Sequence, residues 1–125
     1  MLAPTFLAAL CGGYISLEPP EAYKLWSSGA FAVTIDVRTR REYETEGHLP
    51  GALLVESLGA TRLIPEALRG CEDCAIGVYC TLGVRAKQAA DVLDDAGFTN
   101  VYEILGLRQL VSAGFPLDRS PLPER

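Results

Sequence analysis

One cysteine in this sequence, Cys80, stands where a thiol could act as a nucleophile. It follows an apolar run, and Gly83 and Arg85 come shortly after it, where a helical pattern begins. A tight loop at this position turns backbone N–H groups inward, and a helix N-terminus adds about half a positive charge. Both effects favour a sulfur anion over a neutral thiol. The pattern therefore predicts a reactive thiolate at Cys80.

The residues after Cys80 are the candidate substrate-binding loop. Gly83 supplies the conformational freedom that a tight loop needs, and Arg85 offers a planar cation to an anionic group. The alternative is that Cys80 is a small hydrophobic residue at the end of a core strand, which is the usual fate of an intracellular cysteine. The order of strand end, glycine-containing loop, arginine and helix favours the nucleophile. The loop comprises Thr81, Leu82, Gly83, Val84 and Arg85.

An α/β domain has to position this loop, because short β-branched runs alternate with helical stretches. The run 31–37 is almost continuously apolar, which is typical of a parallel strand covered on both faces. In such sheets, ligands bind beyond the carboxyl ends of the strands, where Cys80 is placed. The predicted strands are 14–17, 31–37, 52–55, 75–79 and 100–103, and the predicted helices are 19–28, 84–96 and 107–113.

Two motifs in order resemble those of the single-domain rhodanese (thiosulfate sulfurtransferase-like) family. The first is Ile35-Asp-Val-Arg38 with Glu42-Tyr43 and Gly47-His-Leu-Pro-Gly-Ala52, and the second is Tyr79-Cys-Thr-Leu-Gly-Val-Arg85. The resemblance extends from about residue 14 to residue 116. It implies a rhodanese-like fold, which is a five-stranded, mainly parallel sheet with helices on both faces. The expected organisation is an extension at 1–13, the domain at 14–118 and a frayed tail at 119–125.

The resemblance also implies a sulfurtransferase that works in two steps. Cys80 would take a sulfane sulfur from a small anionic donor such as thiosulfate and hold it as a persulfide. A thiophilic acceptor (cyanide, a thiol or a protein) would then remove the outer sulfur. Preorganised amide donors stabilise the charged sulfur, so neither a metal nor an organic cofactor is expected. Thr81 and Leu82 are uncharged where thiosulfate-preferring members often carry a basic residue, which leaves mercaptopyruvate-like or protein persulfide donors open.

Two other functions compete with this prediction. A non-catalytic rhodanese-like binding module would use the same cleft to hold a partner, although such a module has no need of the intact cysteine loop. A cysteine phosphatase of related fold would need five residues between cysteine and arginine, whereas four separate Cys80 from Arg85. Leu105-Gly106 replaces a frequent Gly-Gly pair, and Leu110 stands where a tryptophan is often found. These two departures affect packing and pocket shape.

Several polar residues near the first motif are expected to support the structure. Asp36 ends a strand at the same sheet edge as Cys80, and we expect it to cap backbone N–H groups. Arg38 is four residues from Glu42 and is expected on a solvated helical face, although Arg38 or Arg41 could reach the substrate mouth. His48, the single histidine, is expected to organise a turn, since an ionised thiolate needs no general base.

Cys71-Glu-Asp-Cys74 is a pair of cysteines in the loop before the fourth predicted strand. As a zinc site it is only half complete, with Cys11 and His48 as the remaining candidates. As a redox pair it lacks the helix N-terminus that activates a thiol. A regulatory disulfide or a resolving role towards Cys80 is possible, but two loop thiols without a catalytic role are the expected state.

Length and composition limit the classes of protein. The 125 residues suit one domain, and 49% hydrophobic with 22% charged residues is a globular composition. A net charge of −5 gives no general attraction to nucleic acid or to anionic membranes. The apolar stretch 1–10 lacks a basic region and carries a proline, so it is expected to be neither a secretory signal nor a membrane span. We expect a cytoplasmic monomer or homodimer that binds neither nucleic acid nor membrane.

Overall fold

A computed structural model describes residues 13–122 of the chain. The extension that includes Cys11 lies outside the described residues except for Gly13, and so do the last three residues of the predicted tail. Strands and helices alternate along the chain, as the hydrophobic pattern predicts. In chain order the elements are β1 (Ile15–Ser16), α1 (Pro19–Ser27), β2 (Val33–Asp36), α2 (Arg40–Glu46), β3 (Leu53–Leu54), α3 (Leu58–Thr61), a 3₁₀ turn (Glu66–Leu68), β4 (Ile76–Cys80), α4 (Val84–Asp95), β5 (Val101–Gly106) and α5 (Leu107–Ser112).

The five strands form one parallel sheet in the order β1-β5-β4-β2-β3, which confirms the predicted five-stranded parallel sheet. Strand β4 is central, since it pairs with β2 on one side and β5 on the other. All five of its residues are buried. A central parallel strand needs side chains that are apolar towards both faces, which Ile76-Gly-Val-Tyr79 provides. Cys80 is the last residue of this strand.

Each face of the sheet carries its own apolar core. Helices α3 and α4 cover one face, where Ile35, Val78 and Cys80 pack against the alanines of α4. Helices α1 and α5 cover the other face, where Tyr79, Ile104 and Phe115 form the second core. Trp26 of α1 is half-buried and packs on Phe115 with 5.0 Å between ring centroids. Within residues 13–122 no helix has the length and apolar character needed to cross a membrane.

The structure extends or adds elements where local pattern was weak. Strand β5 continues through Gly106, three residues beyond the predicted end, because Cys80 pairs with Gly106 after a register irregularity. Helix α3 and the 3₁₀ turn were not predicted, since three or four residues are too few for a helical period to be visible. The ends of α1 and α4 were predicted to within one residue, because Gly29 and Gly97 follow them with φ of +80° and +95°.

Cys71 and Cys74 are joined in a disulfide, so the expected pair of loop thiols was wrong. Their turn brings the two Cα atoms to 4.9 Å, within the range that a disulfide can bridge. Cys74 lies before the start of β4 and Cys80 at its end, six residues along an extended chain, or roughly 20 Å. A resolving role towards Cys80 is therefore ruled out by position. Within residues 13–122 no cluster of three or more His, Cys, Asp or Glu side chains is arranged to hold a metal ion.

Reduction of the Cys71–Cys74 disulfide is expected to lower the free energy of unfolding by about 1–2 kcal/mol, because the bond closes only a short loop in the unfolded chain. Urea unfolding with and without a thiol reductant measures this difference. The variant carrying Cys71→Ser and Cys74→Ser should match the reduced wild type and be insensitive to reductant. Equal stability of reduced and oxidised wild type would contradict the expectation.

Candidate functional site

The Cys80 thiol lies at the carboxyl end of β4, and two backbone amides point at it. Gly83 N donates to Cys80 Sγ over 2.9 Å, and Ala86 N donates over 3.3 Å. Cys80 is 1% exposed, and it is the free cysteine of the described residues. Amide donors aimed at sulfur stabilise negative charge on it. The predicted cradle of inward-pointing N–H groups is therefore present around a thiol that is nearly covered.

The loop after Cys80 turns sharply because Gly83 has φ of +111°, in the region that favours glycine. Gly83 is also the residue before helix α4, so the turn delivers the chain directly into the helix. Leu82 and Val84 project outwards and are 71% and 67% exposed. The loop therefore presents two apolar side chains to its surroundings, while the amides of Gly83 and Ala86 face the sulfur.

Arg85 is held by a carboxylate and is not a free cation. Its Nη1 and Nη2 atoms donate to the two oxygens of Glu42 over 2.8 and 2.9 Å, and Nη2 also donates to Thr81 Oγ1 over 3.0 Å. Arg85 was predicted to offer its charge to an anionic substrate; in the structure that charge is paired with Glu42, and substrate binding by Arg85 stays a prediction. In this arrangement Arg85 fastens the first turn of α4 and Thr81 to helix α2.

Glu42 is the residue that sequence reasoning missed. Its carboxylate accepts hydrogen bonds from Arg85, from Thr81 Oγ1 and from Thr39 N. Thr39 Oγ1 in turn accepts from Glu42 N, which completes a capping box at the start of α2. The pattern Thr39-x-x-Glu42 was the signal that could have placed Glu42 at a helix N-terminus. Glu42 was expected to pair with Arg38, but Arg38 is buried and pairs with Asp36.

Replacing Glu42 with glutamine is expected to destabilise the protein by about 1–2 kcal/mol at neutral pH, allowing for partial exposure of the pair. The Arg85 guanidinium holds the pKa of Glu42 well below its ordinary value of 4.5. A lowered pKa contributes stability that is complete above pH 4.5 and is lost as pH falls towards the lowered pKa. The difference between wild type and Glu42→Gln should therefore be largest near pH 7 and shrink below pH 4.5, as measured by urea unfolding across pH.

Glu44→Gln is the matched control on the same helix. Glu44 pairs with Arg40 over 3.3 Å, but this pair is an exposed i,i+4 contact. Such pairs contribute little to stability. A loss of stability in Glu44→Gln as large as that in Glu42→Gln would mean that the contact with Arg85 has no special role.

A second buried carboxylate supports the loop from the β5 side. Glu103 is fully buried and accepts from Lys87 Nζ over 2.8 Å and from Leu105 N over 2.6 Å. The hydrogen bond to Glu103 raises the pKa of Lys87. Leu105 adopts φ of +73°, an unusual conformation for a residue with a side chain, at the position where the sequence departs from Gly-Gly. Glu103 therefore fixes both α4 and the strained backbone next to the loop.

Asp36 and Arg38 form a buried structural pair. Asp36 Oδ1 accepts from Arg38 N over 2.9 Å, as the capping prediction required, and Asp36 Oδ2 accepts from Arg38 Nη2 and from Tyr79 Oη, each over 2.7 Å. Burial, reinforced by Asp36, raises the pKa of Tyr79 far above its ordinary range. Arg38 is fully buried, so it does not reach a substrate mouth. The pair fixes Tyr79, the residue before Cys80.

His48 joins the C-terminal segment to the domain, in agreement with its expected structural role. Its backbone pairs with Asp118 through two hydrogen bonds of 2.8 Å, and Nε2 lies 2.8 Å from the carbonyl oxygen of Ser120. The ring stacks on Tyr43 with centroids 3.6 Å apart. The described beginning of the predicted frayed tail is thus held in place. We call residues 117–120 the C-terminal strap.

The geometry brings the predicted loop residues together and assigns them different tasks. Gly83 and the amide of Ala86 surround the sulfur, Thr81 and Arg85 tie the loop to α2, and the apolar pair of the loop faces outwards. Asp36 and Arg38 do not contact the sulfur; they hold Tyr79, the residue before Cys80, through its hydroxyl. Chemically, the arrangement suits a thiolate nucleophile at Cys80. The same two amides can also stabilise negative charge on a sulfur or oxygen atom that becomes bonded to Cys80 Sγ.

The sequence matches a family model and a group of curated proteins. The model of the rhodanese-like domain covers residues 18–106. The tRNA uridine(34) hydroxylase of Pectobacterium carotovorum is 34% identical over 122 residues, which is 91% of this chain and 33% of that protein. The protein of the same name from Sodalis glossinidius is 32% identical over 122 residues, or 91% of this chain and 34% of the relative. The chain thus spans about a third of the length of these relatives.

Solved structures of similar fold carry different descriptions. A Rhodopseudomonas palustris protein of unknown function, described as a possible tyrosine phosphatase, superposes with a TM-score of 0.71 at 27% identity, covering 93% of this chain and 92% of that one. The rhodanese-like domain of an Anabaena protein has a TM-score of 0.68 at 25% identity, covering 88% and 86%. A human single-domain sulfurtransferase shares the fold, with a TM-score of 0.64 at 24% identity over 78% of this chain and 95% of that one.

Proposed function

This chain belongs to the rhodanese-like domain family, and from that premise we propose that it is a sulfurtransferase that carries sulfur as a persulfide on Cys80. The observation that carries the proposal is the pair of amide donors, Gly83 N and Ala86 N, directed at Cys80 Sγ. These donors are fixed before any reaction, so stabilising charge on sulfur requires no reorganisation. The proposed site comprises Cys80 as nucleophile and its loop, Thr81, Leu82, Gly83, Val84 and Arg85.

In the first step the Cys80 thiolate attacks the sulfane sulfur of the donor. With thiosulfate, the new bond joins Sγ to the outer sulfur, the sulfur–sulfur bond of thiosulfate breaks, and sulfite leaves with its electron pair. The product is a Cys80 persulfide with one negative charge on the terminal sulfur. Such charge is stabilised by the same preorganised amides that hold the thiolate.

In the second step an acceptor thiolate or cyanide attacks the terminal sulfur. The Sγ–S bond breaks and its electron pair returns to Sγ, so the Cys80 thiolate is regenerated. Neither step changes the total number of electrons, and neither needs a metal or an organic cofactor. Because Cys80 is 1% exposed, the acceptor must present a slender reactive group.

The test is a donor screen followed by intact mass measurement. Thiosulfate and mercaptopyruvate are each incubated with the protein, and one added sulfur atom on Cys80 is expected from at least one of them. Addition of cyanide should remove that sulfur and release thiocyanate. A protein that gains no sulfur from thiosulfate, mercaptopyruvate or a protein persulfide would contradict the proposal and favour a non-catalytic binding module.

A second candidate function is a contribution to tRNA uridine chemistry. It is favoured by the names of the curated relatives, which match 91% of this chain at 32–34% identity. Those proteins are about three times as long, so their whole activity need not reside in the shared region. The net charge of −5 argues against a broad RNA-binding face.

An anticodon stem-loop RNA with uridine at the wobble position separates the two candidates. Salt-dependent binding of this RNA, above that of a scrambled stem-loop, would support the tRNA function. We expect binding no stronger than to the scrambled control. Phosphatase activity, raised by the Rhodopseudomonas palustris structure, is tested by hydrolysis of an aryl phosphate. It is not expected, because only four residues separate Cys80 from Arg85.

A further inference from the structure

A cleft of about 660 Å³ lies beside the Cys80 loop and has no role in the steps above. Thr81 of the loop forms part of its lining, and so does Leu107, which follows the strand residue paired with Cys80. The volume is within the range of small-molecule sites and far larger than thiosulfate or cyanide requires. The cleft is therefore suited to a larger molecule that reacts at the loop.

Two arginines of the cleft have no acidic partner within residues 13–122. Arg108 stands on α5 and Arg119 on the C-terminal strap, and both line the cleft. Glu46, the acidic residue that lines the cleft, forms an ion pair of 3.4 Å with buried Arg38 rather than with either of these arginines. On a chain with net charge −5, two unpaired cations in one cleft mark a place for a negative group. The arginines that do form ion pairs in the described part are Arg38, Arg40, Arg62, Arg69 and Arg85.

Apolar side chains also line the cleft, on α5 and on the C-terminal strap. Val111 lies one helical turn from Arg108 on α5, and it is 38% exposed. Leu117 of the strap packs so closely on Gly47 that an added Cβ there would come within 2.8 Å of Leu117 Cδ1. His48 fixes the strap by its two backbone hydrogen bonds to Asp118. The backbone that carries Leu117 and Arg119 is therefore held at the cleft.

We propose that this cleft binds the sulfur acceptor, and that the acceptor is an amphipathic organic thiol with an anionic head group. The apolar body would lie against Val111 and Leu117, the anionic head would pair with Arg108 and Arg119, and the thiolate would reach the loop at Thr81. The inference rests on the proposed function. The acceptor thiolate takes the terminal sulfur as an organic persulfide, and the electron pair of the broken bond returns to Cys80. Two cations and an apolar wall favour such a molecule over RNA, which needs many phosphate contacts.

The experiment uses isolated Cys80 persulfide protein and four thiols that vary charge and apolar length independently. These are mercaptooctanoate, mercaptooctanol, mercaptopropionate and mercaptoethanol. The rate constant of sulfur removal is measured by rapid mixing, quenching at set times and intact mass measurement of the protein. We expect mercaptooctanoate to react about fivefold or more faster than mercaptooctanol at subsaturating concentration. Arg108→Gln with Arg119→Gln should remove most of this preference, about two- to fivefold for each arginine. Arg69→Gln, which changes an exposed arginine outside the cleft, should leave the preference unchanged.

Binding of octanoate to Cys80→Ser protein, followed by NMR shifts at Arg108 and Val111, tests the cleft without any sulfur chemistry. Failure of the wild type to form a persulfide would overturn the proposed function. Octanoate binding tests separately whether the cleft binds an amphipathic anion. A persulfide that reacts with all four thiols according to their intrinsic reactivity, with no octanoate binding, would overturn the inference alone. Displacement of octanoate by the anticodon stem-loop at lower concentration than by mercaptooctanoate would also overturn it, in favour of RNA.

Discussion

Replacing Cys80 with serine is expected to abolish persulfide formation, with sulfur transfer falling to the uncatalysed rate. The hydroxyl retains the size and the hydrogen bonds of the site, but it is neither ionised near neutral pH nor able to form a sulfur–sulfur bond. Intact mass after incubation with thiosulfate measures the adduct, and thiocyanate release measures the transfer. Because Gly83 N and Ala86 N can donate equally well to oxygen, the fold should remain intact.

The matched control is the double variant Cys71→Ser with Cys74→Ser, which removes the remaining described cysteines and leaves the loop untouched. It should gain one sulfur atom as readily as the wild type, because the disulfide lies at the opposite end of β4. Retention of a sulfur adduct by Cys80→Ser, or loss of it in the double variant, would place the nucleophile elsewhere.

Gly106→Ala is expected to reduce sulfur transfer about 100-fold and the free energy of unfolding by about 1–3 kcal/mol. An added Cβ at Gly106 would overlap the carbonyl group of Thr81 and lie 2.8 Å from Leu82 N. These are backbone atoms of the loop, so they can yield only if the loop moves. Displacing it by even about 1 Å would misdirect the amides that face Cys80. Thiocyanate release and urea unfolding measure the two effects.

Gly59→Ala is the control for crowding alone. An added Cβ at Gly59 would lie 2.8 Å from Gln88 Cβ, so this variant is also overpacked, but between α3 and α4 and away from the loop. It should lose less stability than Gly106→Ala, because its tightest contact is with a side-chain atom, and it should keep most of its sulfur transfer. If both variants lose transfer in proportion to stability, the close approach at Gly106 has no specific effect on the loop.

The fold could be predicted from the sequence because its main signals are local. The apolar run of β2, the alanine-rich face of α4 and the glycines after α1 and α4 each determine one element without reference to distant contacts. What local pattern could not show is the extension of β5 to Gly106, since that depends on pairing with Cys80 across the sheet. The two motifs then indicated the family over most of the chain.

The site was predicted only in part, for a physical reason. The position of Cys80 at a strand end and the turn at Gly83 follow from the order of residues along the chain. The partner of Arg85 does not, because Glu42 lies 43 residues away and meets it only when α2 packs beside the loop. An i,i+4 rule therefore gave Glu42 the wrong partner, and Arg38 went to the buried Asp36 instead.

The contrast between central strand β4 and the C-terminal strap has a dynamic consequence. Cys80 is anchored in the interior of the sheet and would be released only by global unfolding, whereas the strap is attached mainly through His48. Segments held by so few bonds open at a small fraction of the global free energy. Opening of the strap is therefore expected to require less free energy than opening of β4, which amide hydrogen exchange would show as faster exchange at Asp118 than along β4.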